Sequence, residues 1–371
     1  MRKVPYYPLD RINAVYTASA QDIFSSVFNS GWFIRGNQNN SFEKEFADFC
    51  VVKYCIGVGN GLDALSLILK SYIALGILKK GDKVVVPANT FIATWLAVKN
   101  AGLEPYPVDV DEKSSLLTVE KLRLAWDENI KAVIVVHLYG LLADMEEFEN
   151  FSKEKNFVLI EDAAQAHGAS RNGRKAGSFG NASAFSFYPT KNLGALGDAG
   201  AVVTSDSKLA DTVRKMGNYG SSKKYVHEFD GVNSRLDEIQ AAILSLKLKR
   251  LENDNHRRIE IAKIYSEKIN NPFLKLPCIT NTNEHVFHIF FFFLKYRNEL
   301  QEHLQKLGVE TLVHYPLPPH LQGAFLDCHF GEFPVAEKQS KETLSLPLFP
   351  VMEESEILQV IDAVNSFSPS L

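Results

Sequence analysis

The sequence predicts an α/β protein, with a three-layer α/β/α sandwich around a mostly parallel sheet and a small α+β domain after it. Short apolar runs bounded by turn residues recur through the first two-thirds of the chain, and helical patterns lie between several of them. At 371 residues, the chain also exceeds the length at which a single hydrophobic core usually stops growing. We therefore expect a large domain over residues 1–250 and a small C-terminal domain over 251–371, on which the first residues can also pack.

The predicted sheet rests on short apolar runs, which are typical of buried strands. These runs cover residues 83–87, 131–137, 157–161, 182–188 and 201–204. Helical patterns lie between some of them, for example over 63–69 and 117–126. Because strands alternate with helices, we expect the strands to run parallel and the helices to cover both faces of the sheet.

The pattern changes near residue 236. Apolar positions at helical spacing predict one long helix over 236–269, which leads out of the large domain. A strand-like stretch follows over 286–294, then an amphipathic segment over 297–307 and a last helix over 355–367. This mixture of elements predicts the small α+β domain.

Composition excludes several classes of function. The net charge is −4 and both signs are spread along the chain, so no basic stripe could neutralise a nucleic-acid backbone. No apolar run is long enough to span a bilayer and the start does not resemble a signal peptide, so we expect a cytoplasmic protein. We interpret the four cysteines as buried free thiols, because they form no CxxC pair and no metal-binding spacing: Cys50, Cys55, Cys278 and Cys328.

Three motifs follow predicted strands, at the places where ligands bind in an open parallel sheet. The turn from Gly59 to Gly61 precedes a helix and can hold a phosphate on its backbone N–H groups, although such a turn is often a plain connection. The pair Glu161-Asp162 ends a strand, where a carboxylate can keep a pyridine nitrogen protonated or cap a helix. Lys191 follows a strand, and a lysine in such a cleft can bond to an aldehyde cofactor, whereas an isolated lysine is usually a surface charge.

Three longer segments, in this order along the chain, resemble the DegT-type nucleotide-sugar aminotransferases of the aspartate aminotransferase fold, fold type I. They cover residues 161–165, 186–194 and 231–242, and the resemblance extends from Ser30 to Leu321. It implies pyridoxal 5'-phosphate (PLP) as cofactor, with pyridoxamine phosphate as its alternate form. It also implies amino transfer to a keto-sugar for deoxyamino sugar biosynthesis, as in O-antigen or other polysaccharides.

The resemblance assigns roles around the cofactor ring. Lys191 matches the lysine that carries PLP and moves the proton, and Asp162 matches the partner of the pyridine nitrogen. Gln165 matches the residue beside the 3-hydroxyl of the cofactor. Phe91 falls where the family places an aromatic ring that stacks on the cofactor, with an ordinary core phenylalanine as the alternative.

Further matches concern the cofactor phosphate. Gly61, Leu62 and Ser186 match the phosphate cup, although many relatives have Thr or Ser where this chain has Leu62, so backbone N–H groups must serve there. Asn233 matches a residue that the family sends into the phosphate cup of the neighbouring subunit. The resemblance therefore implies a homodimer with shared active sites.

For the substrates, the resemblance implies glutamate as amino donor and a dTDP-linked 3-keto-6-deoxyhexose as acceptor, with a nucleotide-linked 4-keto sugar as the alternative. Two other functions on the same fold are a PLP-dependent dehydratase, which would have His in place of Lys191, and a non-catalytic sensor. Candidate contacts to the sugar, nucleotide or diphosphate, each of which could equally be structural, are Tyr188, His314, His320, Arg35 and Arg235.

Overall fold

The computed structural model describes residues 3–276 and 282–370, and within them it has the α/β architecture that the sequence predicts. Seven strands form the central sheet: β1 (Tyr54–Val58), β2 (Lys83–Pro87), β3 (Glu104–Val108), β4 (Ile130–Val136), β5 (Val158–Asp162), β8 (Ala182–Ser186) and β9 (Gly200–Thr204). Three two-stranded pairs are β6 (Ser170–Arg171) with β7 (Arg174–Lys175), β10 (Ser221–Lys223) with β11 (Val226–His227), and β12 (Phe290–Phe293) with β13 (Thr343–Leu346).

Helices cover the sheet and build most of the remainder. They are α1 (Leu9–Ala14), α2 (Thr17–Ser30), α3 (Asn37–Cys50), α4 (Gly61–Ala74), α5 (Ile92–Asn100), α6 (Val119–Leu124), α7 (Met145–Lys155), α8 (Ser207–Met216), α9 (Glu238–Leu248), α10 (Leu251–Lys268), α11 (Arg297–Lys306), α12 (Pro334–Glu342) and α13 (Glu354–Asn365). No helix among the described residues is long and apolar enough to cross a membrane.

The central sheet has the strand order β1-β9-β8-β5-β4-β2-β3. Strands β3, β2, β4, β5 and β8 run parallel, whereas β9 runs antiparallel to both of its neighbours, β8 and β1. Helices α4 to α7 connect successive strands from β1 to β5, so the predicted mostly parallel sheet is confirmed. The carboxyl ends of β1, β5 and β8 therefore meet at one edge, where the three motifs lie.

Several predicted bounds are wrong. The single helix predicted over 236–269 is two helices, α9 and α10, which are separated at Lys249 and Arg250. The chain turns there because α9 packs on α2 and α3 beside the sheet, whereas α10 goes on to contact α13. Only Phe290–Phe293 of the strand-like stretch 286–294 is paired, since these are the residues that face β13.

Buried apolar residues form two large clusters. The first surrounds the central sheet, and the second gathers β12, β13, α11, α13 and part of α10. Val4 lies in the second cluster and pairs with Val309, so the first residues do contact the C-terminal part of the chain. Leu251 at the start of α10 belongs to the first cluster and Ile261 to the second, and a domain boundary at residue 250 stays a prediction.

The cysteines described by the structure differ in their surroundings. Cys50 and Cys55 are free and buried, and burial raises the pKa of both thiols, so they remain protonated at neutral pH. Cys328 is free but exposed, which corrects the expectation of burial for this residue. Cys278 lies outside the described residues.

Candidate active site

The Gly-rich turn forms the amino end of α4 and lies against the end of β8. Asn60 caps the helix by accepting a hydrogen bond from the Asp63 amide at 2.8 Å. A Cβ atom on Gly61 would lie only 2.7 Å from the Cβ of Ser186, so only glycine allows this close approach. As the first two residues of the helix, Gly61 and Leu62 have amides that no carbonyl within the helix can accept. The turn thus places two free N–H groups beside a serine hydroxyl, as an anion requires.

Lys191 lies in the loop after β8, partly shielded from solvent. Its amide donates to the Tyr188 carbonyl at 2.8 Å, which closes a tight turn. For its side-chain amine, no hydrogen bond or ion pair is seen with any residue that the structure describes. Burial lowers the pKa of this amine to about 8, although the negative charge of Asp162 acts in the opposite direction. The amine is therefore much more readily deprotonated than that of an ordinary lysine.

Asp162 ends β5 as a buried carboxylate. Its Oδ2 accepts from the Thr94 hydroxyl at 2.8 Å, and its Oδ1 accepts from the Ala164 amide at 3.3 Å. Burial raises the pKa of Asp162, and the hydrogen bonds and the charge of Lys191 offset only part of this rise. No helix follows this strand before β6, so the alternative that Asp162 caps a helix is wrong.

Glu161, directly before Asp162, is fully buried and has a separate set of partners. His137 Nδ1 accepts from the Ala143 amide, so its Nε2 carries the proton and donates to Glu161 at 3.0 Å. Four further donors lie 2.8 to 2.9 Å from the carboxylate: the amides of Gly177, Phe179 and Gly180 and the hydroxyl of Ser183. The motif 161–165 contains Glu161 but does not predict this role, because the donors come from a loop with no pattern of its own.

Gln165 connects three parts of the chain. Its Oε1 accepts from the Tyr139 amide at 2.5 Å, and its Nε2 donates to the Tyr315 hydroxyl at 2.9 Å. Tyr139 also donates its own hydroxyl to the His314 carbonyl at 2.5 Å. The Tyr315 ring lies 5.3 Å from the ring of Phe91, which is half-exposed at the start of α5. Gln165, Phe91 and Tyr315 therefore meet at one place, and Tyr315 is a residue that sequence analysis did not single out, although it lies in a segment similar to the family.

Three histidines lie close enough to Lys191 to interact with its charge. Burial lowers the pKa of His167 to about 3 and that of His314 to about 4, with Lys191 as a further cause for both. The pKa of His288 is lowered for the same two reasons. All three rings are therefore neutral at physiological pH. Asp162 remains the charged group that faces the lysine amine.

The loop that carries Lys191 is held from two sides. The Asn192 side chain donates to Asn255 of α10 at 2.9 Å. On the other side, Lys247 at the end of α9 donates to the Gly194 carbonyl at 2.8 Å. Burial lowers the pKa of Lys247 to about 8. These contacts fix the backbone around the lysine while leaving its amine free.

Arg35 and Arg235 line a cavity of about 80 Å³ next to β1, together with a third arginine, Arg214. Arg214 pairs with Glu43 at 2.7 Å, and Arg235 donates to the Asn218 side chain at 3.0 Å. The pKa of Arg35 is lowered by partial burial and by repulsion from Arg214 and Arg235. The cavity is therefore rich in positive charge. No contact within the described residues joins Arg35 or Arg235 to Lys191.

The remaining predicted residues lie apart from this centre in different ways. Tyr188 is half-exposed beside the lysine loop. His320 is buried, with Nε2 3.2 Å from Glu337 and its ring against Phe333. Asn233 is exposed and pairs with Asn218. Nothing among the described contacts connects Asn233 to Gly61 or Ser186 of its own chain.

These groups fit the chemistry of PLP. The Gly61–Ser186 approach forms a cradle for a phosphate that any Cβ atom at Gly61 would fill. Lys191 offers an amine without a protein partner, as an aldehyde cofactor needs. Asp162 offers a carboxylate for a pyridine nitrogen, and Gln165 offers an amide for a hydroxyl on the same ring.

Comparison with known proteins is consistent with this fit. The family model of the DegT/DnrJ/EryC1/StrS aminotransferases matches residues 16–365. A dTDP-3-amino-3,6-dideoxy-alpha-D-galactopyranose transaminase of Aneurinibacillus thermoaerophilus is 47% identical over 364 residues, which are 98% of this chain and 99% of that protein. The erythromycin biosynthesis sensory transduction protein EryC1 of Saccharopolyspora erythraea is 43% identical, over 97% of this chain and 99% of that one.

Solved structures give the same result. DesV of S. venezuelae, in complex with a ketimine intermediate, is 40% identical with a TM-score of 0.94 over 98% of both chains. NtdA from Bacillus subtilis, with bound pyridoxamine phosphate, is 30% identical with a TM-score of 0.90 over 98% of this chain and 85% of that one. The fold is thus that of the fold type I PLP enzymes. The chain belongs to the DegT/DnrJ/EryC1/StrS aminotransferase family and is a PLP-dependent nucleotide-sugar aminotransferase.

Proposed function

We propose that this enzyme transfers the amino group of glutamate to C3 of a dTDP-linked 3-keto-6-deoxyhexose. The observation that supports this most is the 47% identity, over almost the whole of both chains, to a transaminase whose product is a dTDP-3-amino-3,6-dideoxyhexose. The product would be the corresponding 3-amino-3,6-dideoxy sugar nucleotide. Amination at C4 of a 4-keto sugar is the alternative to be tested.

In this reaction Lys191 holds the cofactor and moves a proton. PLP, when bound, takes up the electron pair that the substrate carbon releases when its proton leaves. The Lys191 amine takes that proton in one half-reaction and returns it in the other, and its pKa of about 8 makes both directions accessible near neutral pH. His167, His288 and His314 stay neutral, so they do not compete for the role of charged acid.

Asp162 holds the pyridine nitrogen in its protonated form through an ion pair. Burial raises the pKa of Asp162, and the positive charge of a pyridinium beside it would favour the ionised carboxylate. Thr94 orients the carboxylate by donating to Oδ2. Gln165 serves the 3-hydroxyl side of the ring, and Phe91 stacks on one face of it.

The amides of Gly61 and Leu62 and the hydroxyl of Ser186 would hold the cofactor phosphate, and Asn233 from a second copy of the chain would complete this cup. An exposed apolar surface supports the dimer that this requires. Phe24 and Phe28 of α2 stack at 5.9 Å, and both are more than half exposed. Trp32 and Phe33, which follow α2 in the chain, are also more than half exposed. A surface of this kind is typical of a contact between subunits.

The sugar nucleotide lies where polar groups flank the lysine loop. Tyr188 and His314 are the proposed sugar contacts, because one is exposed beside Lys191 and the other lies close enough to feel its charge. Arg35 and Arg235 are the proposed partners of the diphosphate, since their cavity concentrates positive charge. We assign His320 an indirect role, in which it holds its own segment in place, because its ring is buried against Glu337 and Phe333.

A sensor without catalytic activity is the second candidate, because a relative at 43% identity is named a sensory transduction protein. The free amine of Lys191 opposite Asp162 favours the enzyme, since binding alone does not require a proton carrier. The wild-type protein with PLP should be yellow and lose this colour when glutamate is added. A sensor would stay yellow.

The deciding experiment supplies glutamate with either dTDP-3-keto-6-deoxyhexose or dTDP-4-keto-6-deoxyhexose and locates the new amine by NMR. We expect a product with nitrogen at C3 from the first sugar and much slower turnover of the second. The Lys191→Ala variant is the matched control, and it should give no product with either sugar. A C4-aminated product formed at the faster rate would contradict the proposed substrate.

A further inference from the structure

Tyr315 enters the cofactor site from the C-terminal half of the chain. Its ring packs 5.3 Å from that of Phe91, and its hydroxyl accepts a hydrogen bond from Gln165 at 2.9 Å. It also lies close enough to Asp162 to feel the negative charge of that carboxylate. Tyr315 therefore contacts or faces three of the residues that we assign to the cofactor ring.

The orientation of the Gln165 amide is fixed by its second partner. The Tyr139 amide can only donate, so the atom it meets at 2.5 Å must be the oxygen, Oε1. Nε2 must then face Tyr315, and the tyrosine oxygen must accept. The proton of the Tyr315 hydroxyl is consequently not used in this hydrogen bond.

That proton has no acceptor among the contacts that the structure describes. Burial raises the pKa of Tyr315, so the hydroxyl keeps its proton at any pH at which the enzyme works. Tyr315 is half-buried, and its hydroxyl, which already accepts one hydrogen bond, still has a proton to donate. A molecule bound on the Gln165 side of the site can accept this proton.

We propose that Tyr315 is a further cofactor-binding residue, which donates its hydroxyl proton to the phenolic oxygen of PLP and is aimed there by Gln165. The second N–H of the Gln165 amide is available to the same oxygen. Two neutral donors would thus stabilise the negative charge on this oxygen. The proposal rests on the proposed cofactor site, but it does not depend on which sugar the enzyme aminates.

The proposed contact predicts a change in protonation of the bound cofactor. In PLP enzymes the nitrogen that joins lysine to the cofactor shares its proton with the phenolic oxygen. A donor to that oxygen weakens its hold on the proton and so lowers the pKa of the nitrogen. Removing the donor should therefore raise the pH at which the yellow form loses its proton and its colour changes.

The test is the Tyr315→Phe variant, which keeps the ring against Phe91 and removes only the hydroxyl. The visible absorbance of wild type and variant, each loaded with PLP, is titrated with pH in the absence of substrates. We expect the midpoint of the variant to lie about one pH unit higher, as for the loss of one hydrogen bond to a charged oxygen. We also expect the apoprotein to bind PLP roughly tenfold more weakly in a fluorescence titration.

Tyr139→Phe is the matched control. It removes a hydroxyl that holds the same segment by donating to the His314 carbonyl. The backbone amide of residue 139, which donates to Gln165, is not changed by this substitution. Its midpoint should equal that of the wild type. The proposal is overturned if the midpoint of Tyr315→Phe is unchanged while the variant is folded and loaded, or if Tyr139→Phe shifts as much. If the wild type forms no yellow species that borohydride traps on Lys191, the cofactor site itself is wrong.

Discussion

Lys191 combines two properties that rarely occur together in a lysine, namely shielding from water and, within the part of the chain that the structure describes, the absence of a partner for the amine. An ion pair would have held its pKa up, whereas burial alone brings it down to about 8. Asp162 is near enough to limit this fall but forms no ion pair with the amine. The residue is thus prepared to react before any ligand arrives.

This environment predicts the pH dependence of the apoprotein. Only the neutral amine is a nucleophile, so the reactivity of Lys191 should rise with pH and level off above about 8. The reactivity of an ordinary lysine would reach its half-maximum more than two pH units higher, at about pH 10.4. Reductive methylation over a pH series, with mass spectrometry of the Lys191 peptide and of an exposed lysine such as Lys263, measures both midpoints. Equal midpoints would mean that burial does not perturb Lys191.

Replacement of Asp162 by Asn tests the role of its charge. The amide can still accept from Thr94, so the fold should remain, but a neutral side chain cannot stabilise a pyridinium. Both half-reactions should then slow by roughly a hundredfold or more, which corresponds to the loss of about 3 kcal/mol at the transition state. Single-turnover rates with glutamate, and with pyridoxamine phosphate and the keto-sugar, provide the measurement. An unchanged rate would assign Asp162 a purely structural role.

The end of strand β5 owes its position to Glu161. Five donors converge on this carboxylate, and three of them are consecutive or nearly consecutive amides of the loop that leads into β8. The carboxylate thereby ties β5 to β8, and these are the strands that end at Asp162 and lead to Lys191. A residue that we do not assign to the cofactor thus joins the two strands that carry the residues that we do.

Replacement of Glu161 by Gln should lower the free energy of unfolding at pH 7 by about 3 kcal/mol. The negative charge would be lost, and the NH2 group of the glutamine side chain would face one of the N–H donors that the carboxylate now accepts from. Burial alone would raise the pKa of Glu161, but the hydrogen bonds from His137 and the loop amides outweigh it and the pKa is lowered. A carboxylate whose pKa is lower in the folded state than in the unfolded state stabilises the fold at pH values above the unfolded-state pKa, about 4.3 for Glu. This contribution is lost as the pH falls from there through the folded-state pKa.

Thermal unfolding of the wild type and of Glu161→Gln at several pH values measures this contribution. The difference in Tm should be largest near pH 7 and should shrink as the pH drops below about 4, where Glu161 takes up a proton in the unfolded chain before it does so in the folded protein. Glu147→Gln in an exposed turn of α7 is a suitable control, with little change expected at either pH. A constant difference across the series would contradict the role of the charge.

Elements with strong local patterns could be predicted, and those fixed by neighbours could not. Strand β2 is predicted with its observed bounds because three consecutive valines lie between turn residues. Strand β3 was missed because Pro105 and Pro107 argue against a strand, yet an edge strand tolerates proline. Similarly, Lys191 and Asp162 follow recognisable strands, whereas the hydroxyl of Tyr315 meets Gln165 only through the tertiary fold.

At the scale of the whole molecule, the proposed dimer makes a prediction about mixed subunits. Lys191→Ala removes the amine, and Asn233→Asp places a negative charge against the cofactor phosphate, so each variant alone should be nearly inactive. If Asn233 serves the opposite site, a mixed dimer has both lesions in one site and none in the other. Random exchange should then restore about a quarter of the wild-type sites, as expected for a two-fold symmetric dimer.

The assay compares the activity of each variant alone with that of the mixture after subunit exchange, which native mass spectrometry follows. A mixture of Lys191→Ala with wild type is the control, because exchange there gives no complementation and should leave the number of intact sites unchanged. If exchanged subunits remain inactive, Asn233 acts within its own chain. Its neighbour Ser234 does contact its own Gly59 amide at 2.9 Å, so this outcome has a concrete structural explanation.

The antiparallel strand β9 has a consequence for the order in which the protein assembles. Strand β1 lies at the edge of the sheet and pairs only with β9, and roughly 140 residues of chain separate the paired positions. During synthesis, the Gly-rich turn after β1, to which we assign the phosphate, therefore has no stable strand behind it until residue 204 has left the ribosome, a delay on the order of ten seconds. The five parallel strands between them along the chain, β2 to β5 and β8, can associate first. We therefore expect the nascent enzyme to acquire its cofactor only after the central sheet is closed by β9, and shorter chains to be targets for chaperones instead.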